Sequence, residues 1–179
     1  MAFWKLFWNK TKVIQINQYS DNYNKIKHKI LVQDFDYKNK KINIFLSKDK
    51  NINLYELEEL CDTVGWVRRP LKKVKIAIEH SFLTISLFYQ SNNHKKLIAF
   101  ARATSDNTFN ATIWDVVVHP DFQGRGLGRI LIKEAIKQLR YADINTITLF
   151  ADPQVISFYK NLGFISDPDG IKGMFWYPH

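Results

Sequence analysis

Apolar and polar positions divide the chain into an antiparallel half and a half in which strands and helices alternate. Residues 82–89, 97–103 and 108–118 are rich in β-branched and aromatic residues and are separated by short polar turns, which predicts an antiparallel meander. Residues 42–46 alternate between apolar and polar positions and predict a further strand upstream.

Two helices are predicted between that upstream strand and the meander. Asn53 followed by Glu56 forms a capping-box pattern at the start of the first helix, and Pro70 marks the first residue of the second. Apolar residues recur at helical spacing in both, at Leu54, Leu57, Leu60 and Cys61 in the first helix and at Leu71, Val74 and Ile78 in the second.

Strands and helices alternate after the meander. A glycine-rich segment is followed by a helix, a strand over residues 146–150, a second helix that begins at Asp152-Pro153 and ends at Gly163, and a last strand over residues 174–177. The apolar positions predicted to face inward are Leu127, Ile130, Leu131, Ala135 and Leu139 in the first of these helices and Val155, Ile156, Tyr159 and Leu162 in the second.

This order of elements predicts an α/β fold with a mixed, mostly antiparallel central sheet flanked by helices. Residues 1–41 show no strong period and are assigned to an N-terminal extension of uncertain order. Residues 42–179 are then the folded domain. The length of 179 residues and the 46% of apolar residues are typical of one globular domain.

Composition narrows the possible partners. No apolar run approaches the ~20 residues of a membrane-spanning helix, so no membrane is expected as a partner. Cys61 is the single cysteine, which excludes an internal disulfide and a multi-cysteine metal site. The net charge of +9 is compatible with nucleic-acid binding, but no aromatic and basic recognition motif accompanies it. The same charge would equally favour binding of a small polyanionic ligand. Nucleic acid is therefore the disfavoured interpretation.

The segment Gln123-Gly124-Arg125-Gly126-Leu127-Gly128 carries the clearest chemistry, because it lies between a predicted strand and a predicted helix. Small residues let backbone N–H groups converge on phosphate oxygens, and the positive end of the helix adds to their attraction. Arg125 and Arg129 add charge. The alternative is that the glycines only make a tight turn.

The spacing of the glycines can be compared with two other kinds of phosphate-binding motif. A Walker loop requires Gly-Lys-Ser or Gly-Lys-Thr, which is absent. A dinucleotide fold requires Gly-x-Gly-x-x-Gly, and Asp152 at the end of the next strand imitates its ribose ligand. The glycines here read Gly-x-Gly-x-Gly, residues 119–123 separate them from the strand, and only 27 residues follow Asp152. A nicotinamide dinucleotide is therefore disfavoured.

Two segments carry a family resemblance. Residues 117–128 resemble motif A of the GNAT acetyltransferases, and residues 152–164 resemble their motif B. Residues 60–70, 114–118 and 167–178 are similar to a subgroup of plant chloroplast and cyanobacterial members. This subgroup includes serotonin N-acetyltransferase-like enzymes and a hypothetical acetyltransferase reading frame of red-algal plastid genomes. The resemblance covers about residues 42 to 178.

The resemblance implies the GNAT fold, acetyl-CoA as co-substrate, no metal, and direct attack of an amine on the thioester. It also implies synthesis and action in the plastid stroma, because no transit-peptide composition is present; a cyanobacterial cytoplasm is the alternative. The acceptor is either a small arylalkylamine of the serotonin type or a protein amine, at lysine or the N-terminus. A non-catalytic basic binding module remains as a third hypothesis, and both a monomer and a homodimer are compatible with the sequence.

The resemblance also assigns candidate roles. Tyr159 is the acid that protonates the departing thiolate, Asp115 and Asp152 are the base or amine-holding carboxylates, and Trp114 would stack on an aromatic amine. The residues implied to bind acetyl-CoA are Val116, Val117, Val118, Gln123, Gly124, Arg125, Gly126, Leu127, Gly128, Arg129 and Tyr159.

Each catalytic candidate has a structural alternative. Tyr159 could be a core residue, Asp115 could face solvent, and Asp152 could be only a helix N-cap. Trp114 and Asp115 should point to opposite faces of an alternating strand unless a bulge intervenes. Cys61 is expected in the core, which disfavours a covalent acetyl-cysteine route.

Overall fold

The computed structural model describes residues 29–91 and 94–178. Its described part holds one six-stranded sheet in the order β1-β2-β3-β4-β5-β6. The first four junctions are antiparallel, and β5 pairs with β6 in parallel. The strands are β1 Lys29–Tyr37, β2 Lys40–Ser47, β3 Leu83–Ser91, β4 His94–Ser105, β5 Asn110–Val118 and β6 Thr146–Leu149. The predicted mixed, mostly antiparallel sheet is confirmed.

Helices cover both faces of this sheet. They are α1 Leu54–Asp62, α2 Leu71–Glu79, α3 Leu127–Tyr141 and α4 Ile156–Lys160, with short 3₁₀ turns at Pro120–Phe122, Pro153–Val155 and Pro168–Gly170. Asn53 caps α1 as predicted, because its side chain accepts the backbone N–H groups of Tyr55 and Glu56. None of the helices in the described part combines the length and apolar character needed to cross a bilayer.

The core consists of two clusters, one on each face of the sheet. On one face α3 packs its apolar stripe against the strands, and on the other face α1 and α2 cover β4 and β5. Strand alternation explains the division, since Ala99 and Ala101 face α3 while Phe100 faces α1 and α2. The buried helical residues are Leu127, Leu131, Ile132, Ala135 and Leu139 in α3 and Leu57, Leu60 and Ile78 in α1 and α2.

The sheet begins before residue 42, where the first strand was predicted. β1 lies within residues 1–41, which were assigned to the N-terminal extension, and it pairs with β2 from Lys29–Leu46 to Tyr37–Lys40. Two register shifts interrupt this pairing, so the period-2 alternation that marks a strand is broken along β1. We propose that the domain starts at or before Lys29; residues 1–28 of the predicted extension lie outside the described part.

The last predicted strand is wrong. Residues 174–177 form no ladder with any described strand, and Met174 and Trp176 are 93% and 80% exposed. The composition favours a strand, but a strand exists only where a neighbour supplies hydrogen bonds. The segment instead packs Phe175 edge-on against Phe150, with ring centroids 5.0 Å apart.

The last helix is shorter than predicted. A 3₁₀ turn follows Pro153, so α4 begins only at Ile156 and has five residues. Val155 and Ile156 are consequently exposed rather than inward-facing, whereas Tyr159 is buried as predicted. Gly163 adopts a φ of 96°, which fits its predicted place at the end of the helix.

Candidate active site

β5 and β6 separate halfway along β5. Their parallel pairing runs from Asn110–Thr146 to Ile113–Leu149 and then stops, because β6 ends at Leu149. β5 continues to Val118 and stays paired with β4 on its other side. The β6-facing edge of residues 114–118 therefore has no paired strand beside it in the described part of the chain. The candidate residues Trp114 to Val118 all lie along this unpaired edge, which we call the opening.

Val118 turns its main-chain groups toward this opening. The N–H of His119 donates to the carbonyl of Ile98 at 2.8 Å, which ties the next residue to β4. Because main-chain groups alternate in an antiparallel pair, the N–H and C=O of Val118 point away from β4. The carbonyl accepts from Gln123 Nε2 at 2.8 Å. Gln123, predicted as a cofactor residue, thus braces the β5 edge.

A bulge lies where β5 leaves β6. Val117 pairs with Phe100 and Trp114 pairs with Arg102, so Asp115 and Val116 together face one residue of β4. Asp115 has a φ of 53°, in the left-handed region. The strand therefore contains a bulge, which is what Trp114 and Asp115 need in order to share a face.

The side chains of Trp114 and Asp115 do reach the same face of β4. Trp114 Nε1 donates to Thr104 Oγ1 at 2.9 Å, and Asp115 accepts from Arg102 Nε at 2.6 Å. Arg102 and Thr104 are two residues apart and so lie on one face, the face covered by α1 and α2. Trp114 also packs against Phe150, with ring centroids 5.5 Å apart.

Asp115 is neither unpaired nor solvent-facing. Its Oδ2 accepts from Arg102 and its Oδ1 accepts from Arg69 Nη1 at 3.0 Å, while the Asp115 side chain is only 16% exposed. Sequence reasoning missed both arginines. The available signal for Arg102 was a single charged residue between Ala101 and Ala103 in an apolar strand, which requires a buried partner.

The glycine-rich loop opens onto the first turn of α3. Gly124 and Gly126 have φ values of 71° and 85°, which only glycine adopts without strain, and Gly126 is the N-cap of α3. No side chain caps this end of the helix, so the first N–H groups of α3 keep their capacity to bind an anion. Leu127 is buried and anchors the loop to the core.

The two arginines of the loop differ in placement. Arg125 Nη1 donates to the main-chain carbonyl of Asp36 at 2.6 Å, and its guanidinium stacks over the Phe35 ring at 4.4 Å. Arg125 is thus engaged by β1. Arg129 is exposed on the first turn of α3 and makes no hydrogen bond or ion pair within the described residues. Arg129 is accordingly the better placed of the two to attract an anion at the loop.

Gly128 marks the point where α3, α4 and β5 meet. A Cβ at this position would lie 3.6 Å from the Phe158 ring and 3.7 Å from Val118 Cγ2. The glycine-rich loop, the open edge of β5 and the helix that carries Tyr159 are therefore adjacent.

Tyr159 is held as a neutral phenol. It is 9% exposed, and its ring packs edge-on against Phe158 and Phe164. Burial raises its pKa above the ordinary value, and the nearby charge of Asp152 raises this pKa further. Its hydroxyl forms no hydrogen bond with any described residue. A protonated phenol without a protein partner can donate to a bound group.

Asp152 stands at the N-cap position before Pro153, but its side chain makes no capping hydrogen bond. The residue is exposed, and its carboxylate forms no ion pair in the described part of the chain. Helix capping therefore does not account for this carboxylate. It approaches Tyr159 closely enough to influence the phenol.

Two other candidates have structural roles. Cys61 is half-buried on α1 and packs against the core cluster, and burial raises the pKa of its thiol, which favours the un-ionised form at neutral pH. His119 caps the turn before the loop, with its Nδ1 accepting the N–H of Asp121 at 3.1 Å. Within residues 29–91 and 94–178, no three His, Cys, Asp or Glu side chains lie close enough to hold a metal ion.

Comparison with known proteins places this geometry in a family. The sequence model of the Acetyltransferase (GNAT) family matches residues 51–164. An uncharacterized N-acetyltransferase ycf52 of Gracilaria tenuistipitata var. liui is 61% identical over 99% of both chains. Histone acetyltransferase TAP1 of Glycine max is 52% identical over 76% of this chain and 62% of that protein. GCN5-related N-acetyltransferase 2, chloroplastic, of Arabidopsis thaliana is 48% identical over 75% of this chain and 58% of that protein.

The fold agrees with these similarities. A solved structure of a probable acetyltransferase from methicillin-resistant Staphylococcus aureus matches with a TM-score of 0.64 at 17% identity, covering 75% of this chain and 99% of that one. The resemblance that the two motifs indicated is thereby confirmed, and the chain belongs to the GNAT family of N-acetyltransferases.

Proposed function

We propose that this protein transfers the acetyl group of acetyl-CoA to an amine by direct attack on the thioester. The observation that carries the proposal is the separation of β5 from β6 after the Ile113–Leu149 pair, next to the glycine-rich loop and Tyr159. An extended thioester arm can pair with the open β5 edge there, as an added strand would.

The residues at this opening suit acetyl-CoA. The diphosphate would bind the main-chain N–H groups of the loop from Gly124 to Gly126 and of the first turn of α3, with the charge of Arg129 nearby. The N–H of Val118 would donate to the pantetheine arm. The Gln123 side chain, which donates to the Val118 carbonyl, would hold this part of β5 in position. Val116 and Val117 remain predicted contacts of acetyl-CoA. Acetyl-CoA supplies the activated acyl group.

The two candidate carboxylates differ in their capacity to act as a base. An alkyl ammonium with a pKa near ~10.4 is less than ~0.1% neutral at pH 7, so a proton must leave the amine. Both oxygens of Asp115 already accept hydrogen bonds from guanidinium groups, so this carboxylate is engaged by the protein itself. The carboxylate of Asp152 is exposed and unengaged, which supports its role in holding and deprotonating the amine.

Tyr159 would complete the transfer. The bound ammonium would first lose one proton through Asp152 to solvent. As the new C–N bond forms, the C–S bond breaks, the departing thiolate takes the phenolic proton, and the second nitrogen proton passes to Asp152. Transfer of that proton through solvent back to the Tyr159 phenolate would restore both groups. The raised pKa of Tyr159 supports this assignment, because the phenol keeps its proton until the thiolate appears.

Two acceptor classes suit the site. The Trp114–Phe150 pair beside the opening favours a small arylalkylamine of the serotonin type. The similarity to a protein named as a histone acetyltransferase favours a protein amine, at lysine or the N-terminus. Incubation with acetyl-CoA and either tryptamine or a lysine-containing peptide, with thiol release as the measurement, separates the two.

A lack of thiol release with both acceptors, together with acetyl-CoA binding in a calorimetric titration, would favour the non-catalytic binding module instead. A titration without heat would contradict acetyl-CoA as the ligand. The same preparation examined by light scattering would decide between a monomer and a homodimer.

We propose the plastid stroma as the location, with a cyanobacterial cytoplasm as the alternative. The similarity to a relative named chloroplastic supports this proposal. Immunoblotting of the soluble fraction of isolated plastids tests it, and recovery outside the plastid would contradict it.

A further inference from the structure

The Asp115 carboxylate joins three separate parts of the fold. It lies on the β5 bulge, it bonds Arg102 of β4, and it bonds Arg69, which precedes Pro70 at the start of α2. Arg69 is 46 residues away from Asp115 in sequence, so this contact connects the α1–α2 loop, residues 63–70, to the sheet.

The Arg102–Asp115 pair is more buried than a surface ion pair, whereas the Arg69 side chain is 43% exposed. The side chains of Arg102 and Asp115 are 13% and 16% exposed, so solvent screens their attraction little. Arg102 Nη1 also approaches Ser81 Oγ at 3.5 Å, and this buried hydroxyl donates to the carbonyl of Ala77 near the end of α2 at 2.7 Å. The same guanidinium therefore fastens both the bulge and α2 to β4.

The α1–α2 loop has a second ion pair that does not reach the sheet. Arg68 Nη2 bonds Asp62 Oδ2 at 2.6 Å and Arg68 Nη1 lies 4.0 Å from Glu58 Oε2, which connects the loop only to α1, and the Arg68 side chain is 70% exposed. Arg68 and Arg69 are thus adjacent residues of one type with different attachments, which provides a matched comparison.

The bulge lies at the end of the opening that is farther from the glycine-rich loop. The glycine-rich loop follows the C-terminal end of β5, so acetyl-CoA would enter from that end. Asp115 lies nearer the middle of β5, two residues beyond the last pair with β6 and next to Trp114. An acceptor approaching the thioester from this side meets the α1–α2 loop.

We propose that Arg69, Arg102 and Asp115 form a positioning triad that holds the α1–α2 loop over the β5 bulge and so shapes the acceptor site. Asp115 is then a positioning residue and not the base. This inference rests on the proposed acetyl transfer for its kinetic consequences, but the ordering of the loop does not depend on activity.

The test compares Arg69→Gln, Asp115→Asn and the double variant, with tryptamine and the lysine-containing peptide as acceptors. Each single variant should raise the KM for the acceptor about tenfold, and the double variant should be no worse than the poorer single one, because the two changes break one shared contact. The KM for acetyl-CoA and the turnover number should stay nearly unchanged. Arg68→Gln should behave as the unmodified protein.

A second measurement separates failure of the triad from failure of the proposed function. Hydrogen–deuterium exchange should rise several-fold in residues 63–69 in Arg69→Gln and Asp115→Asn but not in Arg68→Gln, whatever the activity. Unchanged exchange in both triad variants overturns the proposal. A roughly 100-fold fall in turnover in Asp115→Asn with normal kinetics in Arg69→Gln also overturns it, since Asp115 would then be the base. An inactive wild-type protein would refute the acetyl transfer alone.

Discussion

The guanidinium of Arg125 donates to the main-chain carbonyl of Asp36 at 2.6 Å while it stacks on the ring of Phe35. One residue of the glycine-rich loop is therefore fastened to the edge strand β1. Tyr37, also in β1, adds a hydrogen bond from its hydroxyl to Asp121 Oδ2 at 3.1 Å and packs on Phe122. The first strand of the sheet thus braces the loop proposed to bind the diphosphate.

This bracing predicts an indirect effect on binding. Arg125→Gln should weaken acetyl-CoA binding about threefold to tenfold, because the loop loses the charge-assisted hydrogen bond and the cation–π contact that hold it. Arg129→Gln is the comparison, since it should weaken binding through lost attraction to phosphate, an effect that fades as salt is added. Calorimetric titration at two salt concentrations distinguishes them. Equal salt dependence for the two variants would contradict the assignment of Arg125.

Gly126 allows the diphosphate site to be tested by charge alone. Gly126→Asp and Gly126→Asn have the same shape, and both place a side chain on a backbone with a φ of 85°, at a cost of about 1 kcal/mol in stability. Only Asp brings a negative charge to the end of α3, where it would repel phosphate. We expect Gly126→Asp to abolish acetyl-CoA binding and Gly126→Asn to retain much of it. Similar affinities for both variants would place the diphosphate elsewhere.

Replacement of Tyr159 by Phe should separate catalysis from folding. Turnover should fall roughly 10²- to 10⁴-fold if the phenol is the acid. The melting temperature at neutral pH should change little, because the hydroxyl has no hydrogen-bond partner among the described residues. Thermal unfolding and steady-state kinetics of the purified variant check both, and a normal turnover would remove Tyr159 from the mechanism.

The pKa of Tyr159 also predicts how stability depends on pH. Because burial raises the folded-state pKa above the unfolded value near ~10, this residue's contribution to stability is complete below that pH and is lost as pH rises through the folded pKa. The wild-type protein should therefore lose stability more steeply than Tyr159→Phe in alkaline solution. Denaturant titrations between neutral and strongly alkaline pH provide the comparison, and parallel curves would argue against a buried phenol.

Asp152→Asn should lower turnover roughly 10²- to 10⁴-fold, because it deletes the proposed base. It should leave stability nearly unchanged, since the side chain neither caps the 3₁₀ turn nor pairs with a described residue. Asp115→Asn is the contrasting variant, which should raise the KM for the acceptor and leave turnover nearly unchanged. Steady-state kinetics of both variants check this, and an unchanged turnover in Asp152→Asn would exclude this carboxylate as the base.

Local signals explain why so much of the fold was predictable. The cap at Asn53, the positive φ at Gly126 and the alternation in β3, β4 and β5 each depend on residues close together in the chain. The glycine-rich loop and Tyr159 were recognisable for the same reason, because motifs A and B are short continuous segments. Their adjacency through Gly128 followed from the family resemblance and not from spacing.

The sequence by itself determined the period of the strands and helices, the glycine positions with special backbone angles, and the family. Only the tertiary structure decided that Asp115 would be held by Arg69 and Arg102, which lie 46 and 13 residues away. It also decided that the bulged segment 29–37 pairs as a strand while residues 174–177 do not. The physical reason is that ion pairs and strand ladders need a partner brought close by the rest of the fold, and no local pattern specifies that partner.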